Sequence, residues 1–435
     1  MRAMVHACLL SLGLSAVAFA GTPPDSVAVQ GDGHHARVVV TFANEPHQSP
    51  APAGSTGRRY TGDGYLLAQS AHSQAKRVAS KYALKEIANW PIRALAVHCV
   101  VYEILDNRSV ASVVAALSKD SNVALAEPLS EFHTLTDTRP SDTQEPAVPP
   151  PYNDQYYDMQ TNLPALGIPG AHKHSQGAGV RIALIDTGVD THHPDLRDRI
   201  ARTHSFVDEQ ATSASFYRHG TAIAGVIAAD ANNHIGIVGI APLAQLEIFE
   251  ACWQLHPDDD AAVCNTFTLA KALAAALDSG ISLVNLSIAG PPDPLLAALI
   301  QAAMKRGVIF VGAAAESFDA FPAGIQGVIA AQGEQHPLRT DAFSVPANHI
   351  FTLRPDGEYN FESGSSVAAA ELTGVIALLM SEASTRPGVT EIVSLLKETA
   401  GTGNTVSGSG IDVNAALVKL DLEQHRGRLA ARETH

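Results

Sequence analysis

The chain is poor in charge. Only 17% of its 435 residues are Asp, Glu, Lys or Arg, against about a quarter in an average soluble domain. The 29 Lys and Arg are outnumbered by 44 Asp and Glu, for a formal net charge of −15. With no clustered basic face, a nucleic-acid partner is excluded, because phosphate binding gathers cations on one surface. The sequence also lacks an uncharged apolar run of the ~20 residues that a membrane-spanning helix needs, so no membrane span is expected. Four cysteines are too few for a small disulfide scaffold, and no internal repeat is visible. What is present is 46% hydrophobic, with 33 Gly and 25 Pro, a composition that supports a sizeable buried core. At this length a leader, a small domain and a larger one are expected.

Residues 1–20 read as an export signal: Arg2 is positive, 7–19 are apolar, and Ala18-Phe19-Ala20 is a small-residue cleavage site. The exported product is expected to be periplasmic or extracellular. Cys8 leaves with the leader and Cys99 stands alone. Cys252 and Cys264 flank a short polar loop and are expected to pair in an oxidising compartment. Residues 21–135 hold an extended run at Val38-Val39-Val40, a Pro/Gly/Ser-rich loop over 45–57, a helical stretch over 65–84 and a strand over 95–104. Val110, Val113, Val114 and Leu117 follow at helical spacing, and 123–132 is extended again, which together suggest a small α+β domain. The polar, proline-rich stretch 136–151 reads as an exposed, cleavable connector.

From 152 to 420 short apolar segments, at 181–185, 246–250, 283–287, 308–313 and 328–331, alternate with helical stretches starting near His219, Thr266, Pro294 and Ser365. This is the pattern of an α/β unit whose parallel sheet is covered by helices on both faces. Residues 421–435 read as a polar tail.

Three pieces carry chemistry. Asp186 ends an apolar strand just before Thr187-Gly188, and ligand sites of open α/β sheets gather at such carboxyl ends. Arg218-His219-Gly220-Thr221 sets an imidazole at the start of a helix. Gly364-Ser365-Ser366-Val367-Ala368 opens a long apolar helix: Ser365 suits the cap, and Ser366 suits a nucleophile whose N–H, at the positive helix end, faces a developing oxyanion. With His193-Pro194-Asp195-Leu196 and Asn285-Leu286-Ser287, these pieces resemble the subtilisin-like serine peptidases (subtilases, peptidase family S8), in the chain order Asp, His, Ser.

The resemblance covers roughly 152–420 and implies a secreted serine endopeptidase that cuts polypeptide substrates through an Asp186, His219, Ser366 triad. It implies a subtilisin-like fold, with the small ferredoxin-like N-terminal domain as an inhibitor-type propeptide of a self-processing zymogen. No cofactor is required. Ser287-Ile288-Ala289 and the segment 248–251 would hold an extended substrate by backbone pairing, and Ala313, Ala314 and Ala315 would wall the primary specificity pocket. Asp195 with Asn233 would be ligands of a structural calcium ion.

The sequence departs from the family in three places. Gly-Ser-Ser replaces Gly-Thr-Ser, Ala370-Glu371 replaces Pro-His, and Glu316 stands where the family has the asparagine of its oxyanion hole. An ionised carboxylate accepts hydrogen bonds instead of donating them and repels an oxyanion. Loss of one such donor costs ~10² to 10³ in turnover, a magnitude taken from subtilisin itself. Either Glu316 is protonated in a dry site and donates, or Ser317 takes its place. The alternative reading is a catalytically impaired peptidase scaffold that binds peptides.

Overall fold

The computed structural model describes residues 36–44, 69–134, 151–207, 217–254, 262–335, 337–400 and 410–433. The expected leader, the 45–57 loop and nearly all of the connector lie outside these residues.

The N-terminal unit runs β1 (Arg37–Ala43), α1 (Gln69–Lys81), β2 (Leu84–Ile92), β3 (Val97–Ile104), α2 (Val110–Leu117) and β4 (Leu125–Pro128). Its strands form an antiparallel sheet in the order β2-β3-β1-β4, the β-α-β-β-α-β arrangement of ferredoxin-like domains. Strand β1 is buried on both faces. Val38, Val40 and Phe42 pack with Tyr102, Val113 and Leu117 under the two helices, while Val39 turns toward a different core shared with the C-terminal unit. The expected helix over 65–84 ends at Lys81, and strand β2 after it was not anticipated. It carries Lys85, Glu86, Asn89 and Pro91. These fit an edge strand, where one side needs no partner and proline is tolerated.

The extended piece expected over 123–132 breaks at Leu129-Ser130. Its second half, β5 (Glu131–Thr134), leaves the small sheet altogether.

The C-terminal unit opens with α3 (Asn162–Ala165), α4 (Ile168–Ala171), β6 (Arg181–Asp186), β7 (Ile200–Ser205), α5 (Arg218–Ala228) and β8 (Gln245–Glu250). It continues with β9 (Cys252–Trp253), β10 (Val263–Asn265), α6 (Thr266–Asp278), β11 (Leu283–Leu286), β12 (Ile288–Ala289), α7 (Pro294–Met304), β13 (Ile309–Ala313), β14 (Ile329–Gly333) and β15 (Phe343–Val345). The hairpin β16 (Ile350–Arg354) and β17 (Glu358–Glu362) then leads into α8 (Ser365–Glu382), α9 (Val389–Thr399) and α10 (Val413–Glu433).

Seven of these strands form one sheet, in the order β15-β14-β13-β11-β6-β8-β7, with every neighbouring pair parallel. Ile182 and Leu184 of β6 pack with α5 and α8 on one face, and Ala183 and Ile185 pack with α6 and α7 on the other. Burial on both faces explains why the central strands read as unbroken apolar runs. Strand β7, polar and at the sheet's edge, was not legible in that way.

Helix α8 is the one described helix long and apolar enough to cross a membrane, but 83% of it is buried inside the molecule. The segment expected as a polar tail is instead the second half of α10, which contains no proline to stop it. The first half of α10 anchors Val413, Ala416, Leu417 and Leu420 in the core.

Candidate active site

Asp186 is the last residue of β6 and is fully buried. The second residue of α5, His219, directs Nδ1 at its carboxylate, 2.8 Å from Oδ1 and 3.0 Å from Oδ2. The Thr187 N–H donates to Asp186 Oδ1 at 2.6 Å, and Thr187 Oγ1 accepts from the Gly220 N–H at 2.9 Å. That second bond needs the helix to approach the strand end closely. A Cβ on Gly220 would lie 2.4 Å from the Gly188 carbonyl oxygen, so only glycine follows His219 here.

Burial works against a positive His219, but the Asp186 carboxylate, helped by Glu362, outweighs it and holds the imidazole above its ordinary pKa. With Nδ1 committed to Asp186, Nε2 is the acceptor of the neutral ring. It is buried and has no hydrogen-bond partner among the described residues.

Ser366 stands in the first turn of α8, 1% exposed. The helix is capped at Gly364, whose φ of 119° suits only glycine, and no side chain closes the cap. Ser365 is therefore the first helical residue, not the cap expected from the sequence. Ser366 Oγ donates to the Ser287 carbonyl oxygen at 2.8 Å, and Ser287 Oγ returns a bond to the Ser366 carbonyl oxygen at 2.8 Å. Behind them Asn285 Nδ2 donates to Ser287 Oγ, and Thr373 Oγ1 donates to Asn285 Oδ1, each at 2.8 Å. This buried ladder ties the Ser366 backbone to β11. Thr373 was missed, although a hydroxyl inside an otherwise apolar helix was its signal. Further along α8, burial pushes the Glu371 carboxyl well above its usual range, and Asn162 Nδ2 donates to it at 2.8 Å.

Beside Ser366 opens a cavity of about 590 Å³ lined by residues that include His133, Ala289, Ala315, Glu316, Ser317 and Ser365. Of the three alanines expected to wall it, only Ala315 does. Ala313 and Ala314 are fully buried and continue the β13 ladder. Ser287 and Ile288 are buried beside the cavity, whereas Ala289 lines it. Glu316 also lines it and is exposed, not set in a dry site. Ser317 is exposed next to it.

The cleft is crossed by the chain's own β5. It pairs antiparallel with β12 (Ile288 opposite Thr134, Ala289 opposite His133) and with β10 (Val263 opposite His133, Cys264 opposite Phe132). Phe132 is fully buried, its ring edge-on to Phe321 at 5.1 Å. The second strand flanking the cleft is thus β10, not the expected segment 248–251, most of which belongs to β8 inside the large sheet. The Cys252–Cys264 disulfide joins β10 to β9, across a Cα separation of 4.2 Å. Cys99 is free and buried.

Asp195 and Asn233 do meet, but they close on each other. Asn233 Nδ2 and the Ile237 N–H donate to the two Asp195 oxygens at 2.8 Å each, and Asn233 Oδ1 accepts from Ile235. Burial lifts Asp195 to about 7. Among the described residues no three His, Cys, Asp or Glu side chains converge on a metal position.

The geometry agrees with comparison to known proteins. The model of the subtilase family matches residues 177–414, more than half of the chain. M-protease of Shouchella clausii (strain KSM-K16) is 30% identical over 344 residues, covering 72% of this chain and 87% of its own. Thermitase of Thermoactinomyces vulgaris is 28% identical over 273 residues, covering 59% and 93%. The crystal structure of fervidolysin from Fervidobacterium pennivorans, a keratinolytic enzyme related to subtilisin, superposes with a TM-score of 0.65 at 20% identity. The match covers 89% of this chain and 62% of fervidolysin, so it speaks for the fold alone. With its parallel sheet, Asp186–His219 pair and serine-headed helix, the chain belongs to the subtilase family of serine peptidases.

Proposed function

We propose that the chain is an exported, self-processing zymogen of a serine endopeptidase, with Asp186, His219 and Ser366 as its triad. Ser366 Oγ attacks the substrate carbonyl carbon while His219 Nε2 takes the hydroxyl proton, and Asp186 fixes the tautomer and stabilises the imidazolium. As the tetrahedral species collapses, the C–N bond breaks and His219 passes that proton to the leaving amine. Water then cleaves the acyl-enzyme by the same route. The Ser366 N–H, at the positive end of α8, supports the oxyanion. The mechanism needs no cofactor. A structural calcium ion would have to replace the Asn233 to Asp195 hydrogen bond, which melting curves with and without EDTA would read.

The observation that carries the zymogen reading is β5, an extended segment of the same chain held between β10 and β12 beside Ser366. It binds as a substrate would, by backbone pairing, and makes the N-terminal unit an intramolecular inhibitor. Strand β5 ends at Thr134, opposite Ile288, and the sequence that follows it is the start of the connector. The first cut is therefore expected at Leu135-Thr136. Export is supported by the leader-like residues 1–20 and by the Cys252–Cys264 disulfide, which calls for an oxidising compartment.

An intact-mass time course of the purified chain beside its Ser366→Ala variant tests the reading. The native chain is expected to lose a fragment ending at Leu135 while the variant stays whole. If both stay whole under folding conditions, the chain is the impaired, peptide-binding relative instead.

A further inference from the structure

The N-terminal sheet rests on α6 and α7 through an apolar contact. Val39, Ile92, Cys99 and Val101 share a core with Leu269, Leu273 and Leu295, and Trp90 stacks edge-on against Phe267 at 4.6 Å. One feature of this contact is not apolar: Glu127 of β4 and Asp293, exposed by only 4% each, both put their carboxylates on the N-terminus of α7, Glu127 accepting from Leu295 and Asp293 from Leu296.

Each is held by fixed donors. Asp293 is the N-cap of α7, accepting from Leu296 N at 2.9 Å and from Thr266 Oγ1 at 2.6 Å. Glu127 Oε2 accepts from Leu295 N at 3.3 Å, while Oε1 has no partner that donates to it. Two carboxylates buried on the same helix end are costly to charge together, so one proton is kept between them. It belongs on Glu127, because Asp293 already accepts two hydrogen bonds at the positive end of a helix.

We propose that this pair is a proton-dependent latch: the shared proton lets the N-terminal unit dock on α6 and α7, and its loss as the solution becomes alkaline releases that unit from the cleft it blocks.

Burial, then the Asp293 charge, push Glu127 up to about 9, and burial raises Asp293 as well. No cation is among the influences on Glu127, and Arg93, on the turn packed against α7, keeps a contact of its own. From β3 comes the Cys99 thiol, itself pushed well up by burial and by these two acids. From β1 comes Arg37, which makes no ion pair with Glu127 among the described residues, and α2, behind the sheet, carries no titratable side chain. The sign follows. Undocked, Glu127 returns to the ordinary range near 4.5; docked, it holds its proton to about 9. Docking therefore takes up a proton between these values, and it weakens as pH rises through that window by about tenfold per unit for one proton.

That release would start activity rests on the zymogen reading above, but the latch itself is a property of the interface and can be tested without any catalysis. In the full chain carrying Ser366→Ala, Cys99 is the buried reporter. Its alkylation by iodoacetamide is measured on the peptide that carries it, between pH 6 and 9, relative to the urea-unfolded chain at the same pH. This ratio removes the thiol's own titration. Protection is expected to fall about tenfold per pH unit. Glu127→Gln and Asp293→Asn, which keep shape and, for Asn, the helix cap, are expected to flatten the slope and preserve protection at pH 9. A parent chain with no slope, or a slope unchanged in both variants, would overturn the latch. If one variant fails to fold, as seen by circular dichroism, the other and the parent slope decide.

Discussion

The two sides of the cleft are built differently. On the side of Asp186, His219 and Ser366 the three side chains are buried, and each is tied to a second group: Thr187 behind Asp186, Asp186 behind His219, Ser287 and Asn285 behind Ser366. On the opposite side Glu316, Ser317, Phe318 and Asp319 are exposed. A buried ladder with few unmade bonds holds reacting atoms at fixed separations, which is where most of an enzyme's preorganisation resides. An exposed turn holds nothing so firmly. On the proposed triad the contrast makes oxyanion support the weak step, and Ser366 Oγ has still to leave the Ser287 carbonyl to reach His219 Nε2.

Glu316→Asn breaks the contrast most directly. Turnover is expected to rise by as much as about 10² on a peptide ester, with KM little changed, because a donor replaces a repelling carboxylate only in the transition state. No gain would mean that another donor already serves the exposed side.

A second substitution attacks the locked side. Thr373→Val removes the hydroxyl that donates to Asn285 and leaves a buried amide oxygen unpaired. It is expected to cost about 1–3 kcal/mol of stability in a denaturant titration, and to lower kcat while sparing KM. Equal loss in both kinetic constants would argue that the ladder serves binding instead of positioning.

The smallest effect concerns pH. His219 must be neutral to act as base, and its pKa is held above the ordinary imidazole value. Activity should therefore fall on acidification through that raised value. In Glu362→Gln, which deletes one of the charges holding it up, the acid limb is expected to move to lower pH. An unmoved limb in a pH profile of kcat/KM would assign the perturbation to Asp186 alone.

Much of this molecule was legible before its structure. Asp186, His219 and Ser366 each sit at the junction of an apolar strand or helix with a glycine turn, and junctions of that kind leave marks in sequence. The central strands were legible for a related reason: burial on both faces makes them continuously apolar. Strands β2 and β7 escaped because at a sheet edge half of the burial is missing and polar residues intrude. The identity of the second cleft strand escaped for another reason. Val263–Asn265 is three residues long and is set in place by a disulfide and by β5, which are contacts across distance. The Glu127–Asp293 meeting lies 166 residues apart in the sequence, farther than any local pattern reaches.

Strand β5 also bears on what the enzyme would spare. Its seat between β10 and β12 grips main chain more than side chains, and only a segment that can lie straight, with both edges free, will fit. Helices and the interior strands of folded proteins cannot offer such a segment without first coming apart. A peptidase with this seat would act on its targets according to how loosely they are folded, leaving compact neighbours intact and removing chains that have begun to unravel.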